Sequence, residues 1–176
     1  DVTDYGAVGD GSDNATAISA AAAAASAAGG TVRFPAGTYG VSSDIIFPSN
    51  VQLEFDPGAI LSPDAGIVLT INNQVRAGLT QCFGTDGTVL LRGDVLPQWF
   101  GAISDLGSPS IAQAQVNTLA FRKACKSSAD EWDLQTTFGG MFGFSVPAGT
   151  YRLANGFTAP AGVHVQGSGS GSSALI

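Results

Sequence analysis

The pentapeptide Pro35-Ala36-Gly37-Thr38-Tyr39 occurs twice, returning 112 positions later as Pro147-Ala148-Gly149-Thr150-Tyr151. At the same spacing Pro48-Ser49-Asn50-Val51 answers Pro160-Ala161-Gly162-Val163. Upstream, Tyr5-Gly6-Ala7 matches Phe100-Gly101-Ala102 at an offset of 95, and residues 14–21 align loosely with 117–124 at an offset of 103. The second copy therefore carries eight more residues before its helix and nine more after it. Both copies run in one order: aromatic-Gly-Ala, turn, helix, strand, pentapeptide, strand. A repeat of this length means one supersecondary unit built twice. The junction falls near residues 93–98, which predicts two segments, 1–95 and 96–176.

Residues 16–28 are almost all alanine, the best helix former. Asp13 or Asn14 can cap the start, and Gly29-Gly30 stops the helix. Ile18, Ala21, Ala22 and Ala25 form one thin apolar face, suited to lie close over the end of a β-structure. After Gly30 come short runs rich in β-branched and aromatic residues: 31–34, 38–41, 45–47, 51–55, 67–71, 74–77 and 89–91. Turn residues separate them, such as Pro48-Ser49-Asn50, Asp56-Pro57-Gly58 and Asn72-Asn73. No helix-length connection intervenes, so a βαβ sheet is disfavoured, and an antiparallel sandwich or a stacked solenoid remains. A second helix is predicted over 112–126, with Val116, Leu119, Ala120 and Ala124 on its inner face. Its exit, 127–140, holds Trp132 and Phe138 and reads as an excursion.

The bulk numbers narrow the function classes. Hydrophobic residues make up 44% and charged ones 12%, enough for a core but few for a wide solvated surface, which points to an oligomer. Twenty-four glycines without a collagen period suit many strands meeting at turns. A net charge of −7, with only Arg122, Lys123 and Lys126 close together, argues against a nucleic-acid partner. No apolar run is long enough for membrane insertion. Cys82 and Cys125 have no metal-like spacing and read as free thiols, with a disulfide left open. Asp1 follows no leader, as expected of a trimmed boundary.

These residues resemble the N-terminal module of the pectate-lyase-like superfamily. The resemblance rests on Asp4-Tyr5-Gly6-Ala7-Val8-Gly9-Asp10-Gly11, Asp13-Asn14, Ala17-Ile18, Gly29-Gly30, Phe34-Pro35 and Gly37-Thr38-Tyr39. It implies an all-β dominated fold, a right-handed parallel β-helix with Ala-rich capping helices, here as two successive modules. The superfamily includes polygalacturonases, pectate lyases and phage tailspike or tail-fibre proteins. Pro97-Gln98-Trp99-Phe100-Gly101-Ala102 is similar to a Pro-x-Trp-Phe-Gly-Ala junction of the phage branch, where a short first β-segment precedes a second capped β-helix. The second copy departs from the pattern: Ser104-Asp105-Leu106-Gly107 replaces Gly-Asp-Gly, and its helix lacks the Asp-rich cap. The resemblance also implies further coils after Ile176.

Glycoside hydrolysis needs two facing carboxylates, and in the polygalacturonase branch these sit on middle coils that this chain does not reach. Asp10 and Asp13 read as caps for backbone N–H groups, and Glu54 and Asp56 as an exposed strand face. Asp130, Trp132 and Asp133 form the candidate glycan contact, since carboxylates beside an indole suit a sugar face. The glycines at 6, 9 and 11 are in the wrong order for a dinucleotide fingerprint, and Asp10-Gly11-Ser12-Asp13-Asn14 lacks a calcium loop's alternating ligands. His164 has no second ligand nearby in sequence. No catalytic residue, cofactor or metal is expected. The expected role is a structural, attachment segment of a phage tailspike or tail fibre. Such a segment would be a homotrimer on the extracellular virion tail, joined to other virion tail proteins and bearing a β-helix that recognises host surface polysaccharide. The alternative is a polysaccharide lyase or glycoside hydrolase cut short of its active site, or a secreted bacterial protein.

Overall fold

The computed structural model describes residues 1–104, 110–130, 143–155, 164–167 and 173–175. The chain forms two compact units, Asp1–Arg92 and Gly93–Ile176. It is strand-rich with few helices, and its sheets are small and parallel.

The first unit opens with a 3-10 turn, Val2–Tyr5, closed by Gly6 in the left-handed region (φ 90°). Strand β1 (Asp10–Asp13), helix α1 (Ala15–Ala28) and strands β2 (Gly30–Phe34), β3 (Gly37–Val41), β4 (Ile45–Phe47), β5 (Val51–Phe55), β6 (Ala59–Pro63), β7 (Val68–Ile71), β8 (Val75–Arg76) and β9 (Thr88–Leu91) follow. They pair as β1-β3-β6, β2-β5-β8 and β4-β7-β9. Every pairing is parallel. Apart from the bulged β1–β3 pair, partners lie between 20 (Val68 with Thr88) and 24 (Ile45 with Leu69) residues apart. So each sheet gains one strand per circuit of the chain, an arrangement compatible with the expected β-helix.

Strand alternation explains why the circuits stack. In β5 and β6 every second residue is buried, and the same register repeats on each neighbour. Val32, Leu53 and Val75 align across one sheet, and Ile45, Leu69 and Val89 across another. Phe34 lies opposite Phe55, their rings stacked at 4.8 Å, and Phe83 meets Phe55 edge-on at 5.5 Å. Burying each such side chain contributes roughly 1.5–3 kcal/mol. A one-residue slip would turn the whole inward set outward, so the pattern also sets the register.

Helix α1 packs on the 3-10 turn and on β2, β4 and β5. It buries Ile18, Ala21 and Ala22, as the spacing predicts, with Ala25 half-buried, and it buries Ala15 as well. Two strands go beyond the sequence reading. Residues 10–13, expected as a turn, form β1, because Thr38 N–H donates to the Gly9 carbonyl and Asn14 N–H to that of Gly40, drawing the segment alongside β3. Residues 59–63, not read as a strand, pair with β3 over five positions.

The second unit repeats the plan. A 3-10 turn, Pro97–Phe100, is closed by Gly101 (φ 93°), with Gly101 and Ala102 donating to Gln98 and Pro97 as Gly6 and Ala7 donate to Thr3 and Val2. Helix α2 (Ile111–Asp130) leads to β10 (Gly143–Val146) and β11 (Gly149–Tyr151), which pair in parallel with β12 (His164–Gly167) and β13 (Ser173–Leu175). Gly143 lies opposite His164, and the matching first-unit pair is Thr31 and Gln52, 112 positions earlier in both cases. Two expectations need correction. Val116 and Leu119 do not face inward but are 45% and 44% exposed; Ala114, Asn117, Thr118 and Phe121 join the expected Ala124 on the buried face. Ala120 is buried as expected. And α2 runs on to Asp130, so the first residues of the predicted excursion are helical; no Gly or Pro stops the chain there.

Candidate functional site

The two carboxylates at the entry to α1, Asp10 and Asp13, are bound by nearby backbone N–H groups and serine hydroxyls. Asp13 sits one residue before the N-cap of α1. One of its oxygens accepts from Ala15 N–H (3.1 Å) and Ser42 N–H (3.0 Å), and the other from the Ser42 hydroxyl (2.6 Å). Asp10 accepts from the Ser12 hydroxyl (2.6 Å) and Ser12 N–H (2.9 Å). The Ser42 hydroxyl, and then Ala15 N–H, hold the Asp13 carboxyl below its usual range; the Ser12 hydroxyl and N–H do the same for Asp10. Only Asp13 serves the helix start; Asp10 closes its own turn.

Strand β2 presents Arg33 outward, opposite Glu54 on β5, which lies opposite Arg76 on β8. Arg33 also grips Asp56 with two hydrogen bonds, at 3.0 and 2.7 Å. The hydrogen bond and charge of Asp56 raise the Arg33 pKa further. Opposite charges thus alternate across this sheet face, and Asp56 is held as an ion-pair partner.

The feature that sequence reading undervalued is an asparagine clamp. Asn14 occupies the N-cap position of α1, yet its side chain does not cap the helix. It faces back across the turn: its Oδ1 accepts from Val8 N–H (2.6 Å), and its Nδ2 donates to the Val8 and Ser12 carbonyls (3.1 and 2.5 Å). In the second unit Asn117 does the same from within α2. Its Oδ1 accepts from Ile103 N–H (2.9 Å), and its Nδ2 donates to the Ile103 carbonyl (3.1 Å) and to that of Arg152 (3.2 Å). Both asparagines are buried. The signal was in the alignment itself, since Asn14 and Asn117 stand at equivalent places between the other repeats. Downstream, Tyr39 and Tyr151 donate to the carbonyls of Pro35 (3.0 Å) and Pro147 (3.3 Å), tying each pentapeptide into a loop. Burial raises both tyrosine pKa values. Gln98 adds a bond to Tyr151 that the first copy lacks a residue for, since Thr3 stands in its place.

Asp130 ends α2, but its side chain, together with Trp132 and Asp133, lies outside the described residues, as does the His164 side chain. Among the described residues no three of His, Cys, Asp and Glu gather as metal ligands. Cys82 is buried and free, its thiol pKa pushed up by desolvation. No helix among the described residues is long and apolar enough to cross a membrane. A groove of about 290 Å³ runs between α1 and β4, lined by Ser19, Ala22, Ala23, Ser26, Asp44, Ile45, Ile46 and Pro48.

Residues 1–65 match the family described as rhamnogalacturonase A/epimerase, pectate lyase-like. That span covers α1 and β1 to β6, the first module. It supports the pectate-lyase-like superfamily, a polysaccharide-acting group. No curated protein and no solved structure matches the chain.

Proposed function

We propose that this chain is a structural, attachment segment of a phage tailspike or tail fibre. In this reading both units are starts of right-handed β-helices. The segment forms a homotrimer on the virion tail, contacts other tail proteins, and carries a downstream β-helix that recognises host surface polysaccharide. The observation that carries the reading is the module built twice: 3-10 turn, asparagine clamp, helix, and a tyrosine-locked pentapeptide between parallel strands. An enzyme needs one capped start, whereas a chain that begins again within 100 residues fits a jointed stalk. Asp13, bound to backbone, and Asp56, bound to Arg33, support it further. Sedimentation equilibrium tests it: a species of three 17.7 kDa chains is expected, and a stable monomer would sink the trimeric stalk.

A second reading has the family match behind it: a polysaccharide lyase or glycoside hydrolase of the pectate-lyase-like superfamily. Incubation with bacterial capsule, O-antigen and pectin separates the two. Cleavage that disappears in Asp130→Ala or Asp133→Ala would replace the structural reading by the enzymatic one. Glycan binding without turnover, lost in Trp132→Ala, would make the segment a binding module.

A further inference from the structure

We propose that Asp10 guards an open sheet edge, keeping a second copy of the chain from adding a strand to the first unit. This role is independent of the stalk reading. An uncovered edge strand presents unpaired N–H and carbonyl groups, a template for pairing with another chain. At the starting end of the first unit two edges are covered, because α1 packs against β2 and β4, the first strands of their sheets. The third sheet, β1-β3-β6, ends instead in β1, and all four residues of β1 are exposed.

One side of β1 belongs to β3, through Thr38 N–H on the Gly9 carbonyl and Asn14 N–H on that of Gly40. Two of its backbone donors are not given to β3 and are already used. Asp10 N–H donates to the Val8 carbonyl at 2.9 Å. Ser12 N–H donates to Oδ1 of Asp10 at 2.9 Å, and the Ser12 hydroxyl donates to the same oxygen at 2.6 Å. An arriving strand has to displace this carboxylate to reach Ser12 N–H, and offers only a neutral carbonyl in return. The bond it breaks is charge-assisted and the stronger of the two. The register also shifts between Asp10 and Asp13. A bulge of this kind bends an edge away from flat pairing.

Charge acts in the same direction. The self-complementary arrangement is antiparallel, two-fold pairing of β1 with the β1 of a second copy. Centred between Gly11 and Ser12, it sets Asp10 of each copy opposite Asp13 of the other, and like charges directly opposite are destabilising. The net charge of −7 on each copy adds to the repulsion. Asp10 thus occupies a donor of the edge and charges it with one carboxylate. Asp13 contributes charge alone, since its oxygens are taken by Ala15 and Ser42.

The test is sedimentation velocity of the full chain and of Asp10→Ala over a range of concentrations, with amide hydrogen exchange at Ser12 on the same samples. Asp10→Ala removes both the acceptor and the charge. A species of at least twice the mass of the parent at the same concentration is expected, with Ser12 exchange slowing as it forms. Asp10→Asn removes the charge and keeps an oxygen for Ser12 N–H; it is read in place of Asp10→Ala if that variant loses its far-ultraviolet circular dichroism. The proposal is overturned if the folded variant keeps the parent's mass at every concentration, or if association leaves the Ser12 exchange rate unchanged.

Discussion

Replacing Asn14 by serine separates a helix cap from a clamp. Serine is as good an N-cap as asparagine, so a residue that only caps α1 would tolerate the change within a few tenths of a kcal/mol. Asn14, however, makes three hydrogen bonds to Val8 and Ser12, at 2.5–3.1 Å, from a side chain that is 4% exposed. A serine hydroxyl is too short to span the same turn. At about 1 kcal/mol per bond, Asn14→Ser costs about 3 kcal/mol. That corresponds to a fall in melting temperature of about 6–12 °C, with helix content retained below the transition. Asn117→Ser should cost a similar amount in the second unit, where four bonds converge on the side chain. Urea unfolding followed by circular dichroism measures both. A loss under about 0.5 kcal/mol for Asn14→Ser would refute the clamp and return Asn14 to an ordinary cap.

Other outcomes follow from the same geometry. A Cβ on Gly37 would fall 2.8 Å from the Gly9 backbone at φ 149°, so Gly37→Ala should cost about 3 kcal/mol or more, read as a lowered urea midpoint. In the second unit the clash of Gly149→Ala is with the Ser104 Cβ at 2.5 Å, so Ser104→Gly should recover part of the loss by removing that atom. Asp13 and Asp10 have folded-state pKa values below the ordinary 3.8, so their contribution is present above that pH and is lost as pH falls through the lowered values. Asp13→Asn should therefore flatten the acid limb of a stability–pH curve below about pH 4, and an unchanged limb would refute the assignment. Cys82, buried with its thiol pKa raised, should resist iodoacetamide in the native chain and react in urea, as peptide mass spectrometry can follow.

Much of the site was legible only in part. The acidic caps were readable because Asp-Asn ahead of an alanine run has one economical use, satisfying the first N–H groups of a helix. The division of labour was not: Asn14 holds the N-cap position, but Asp13 supplies the cap. That choice depends on Val8 and Ser12 lying within reach of one amide and Ser42 within reach of one carboxylate. The groove gave no signal in sequence either. Ser19 and Asp44 are 25 positions apart and unremarkable alone, and they line one groove only because α1 packs beside β4. The inner face of α2 was misread for a related reason. Hydrophobicity favoured Val116 and Leu119, but the clamp brings Asn117 inward, and Thr118 and Phe121 turn in with it.

The repeated pentapeptide, the alanine helix and the short alternating strands determine, from sequence alone, that the chain is strand-rich, modular and built twice. Periodicity and turn chemistry act over a few residues and survive in any context. Which strands pair was decided by tertiary structure. Outside the bulged β1–β3 pair, parallel partners lie 20 to 24 residues apart, and nothing local distinguishes a parallel from an antiparallel neighbour until inward side chains such as Phe34 and Phe55 are stacked. The asparagine's inward turn and the groove beside α1 belong to that level too, because each needs groups that only packing brings together.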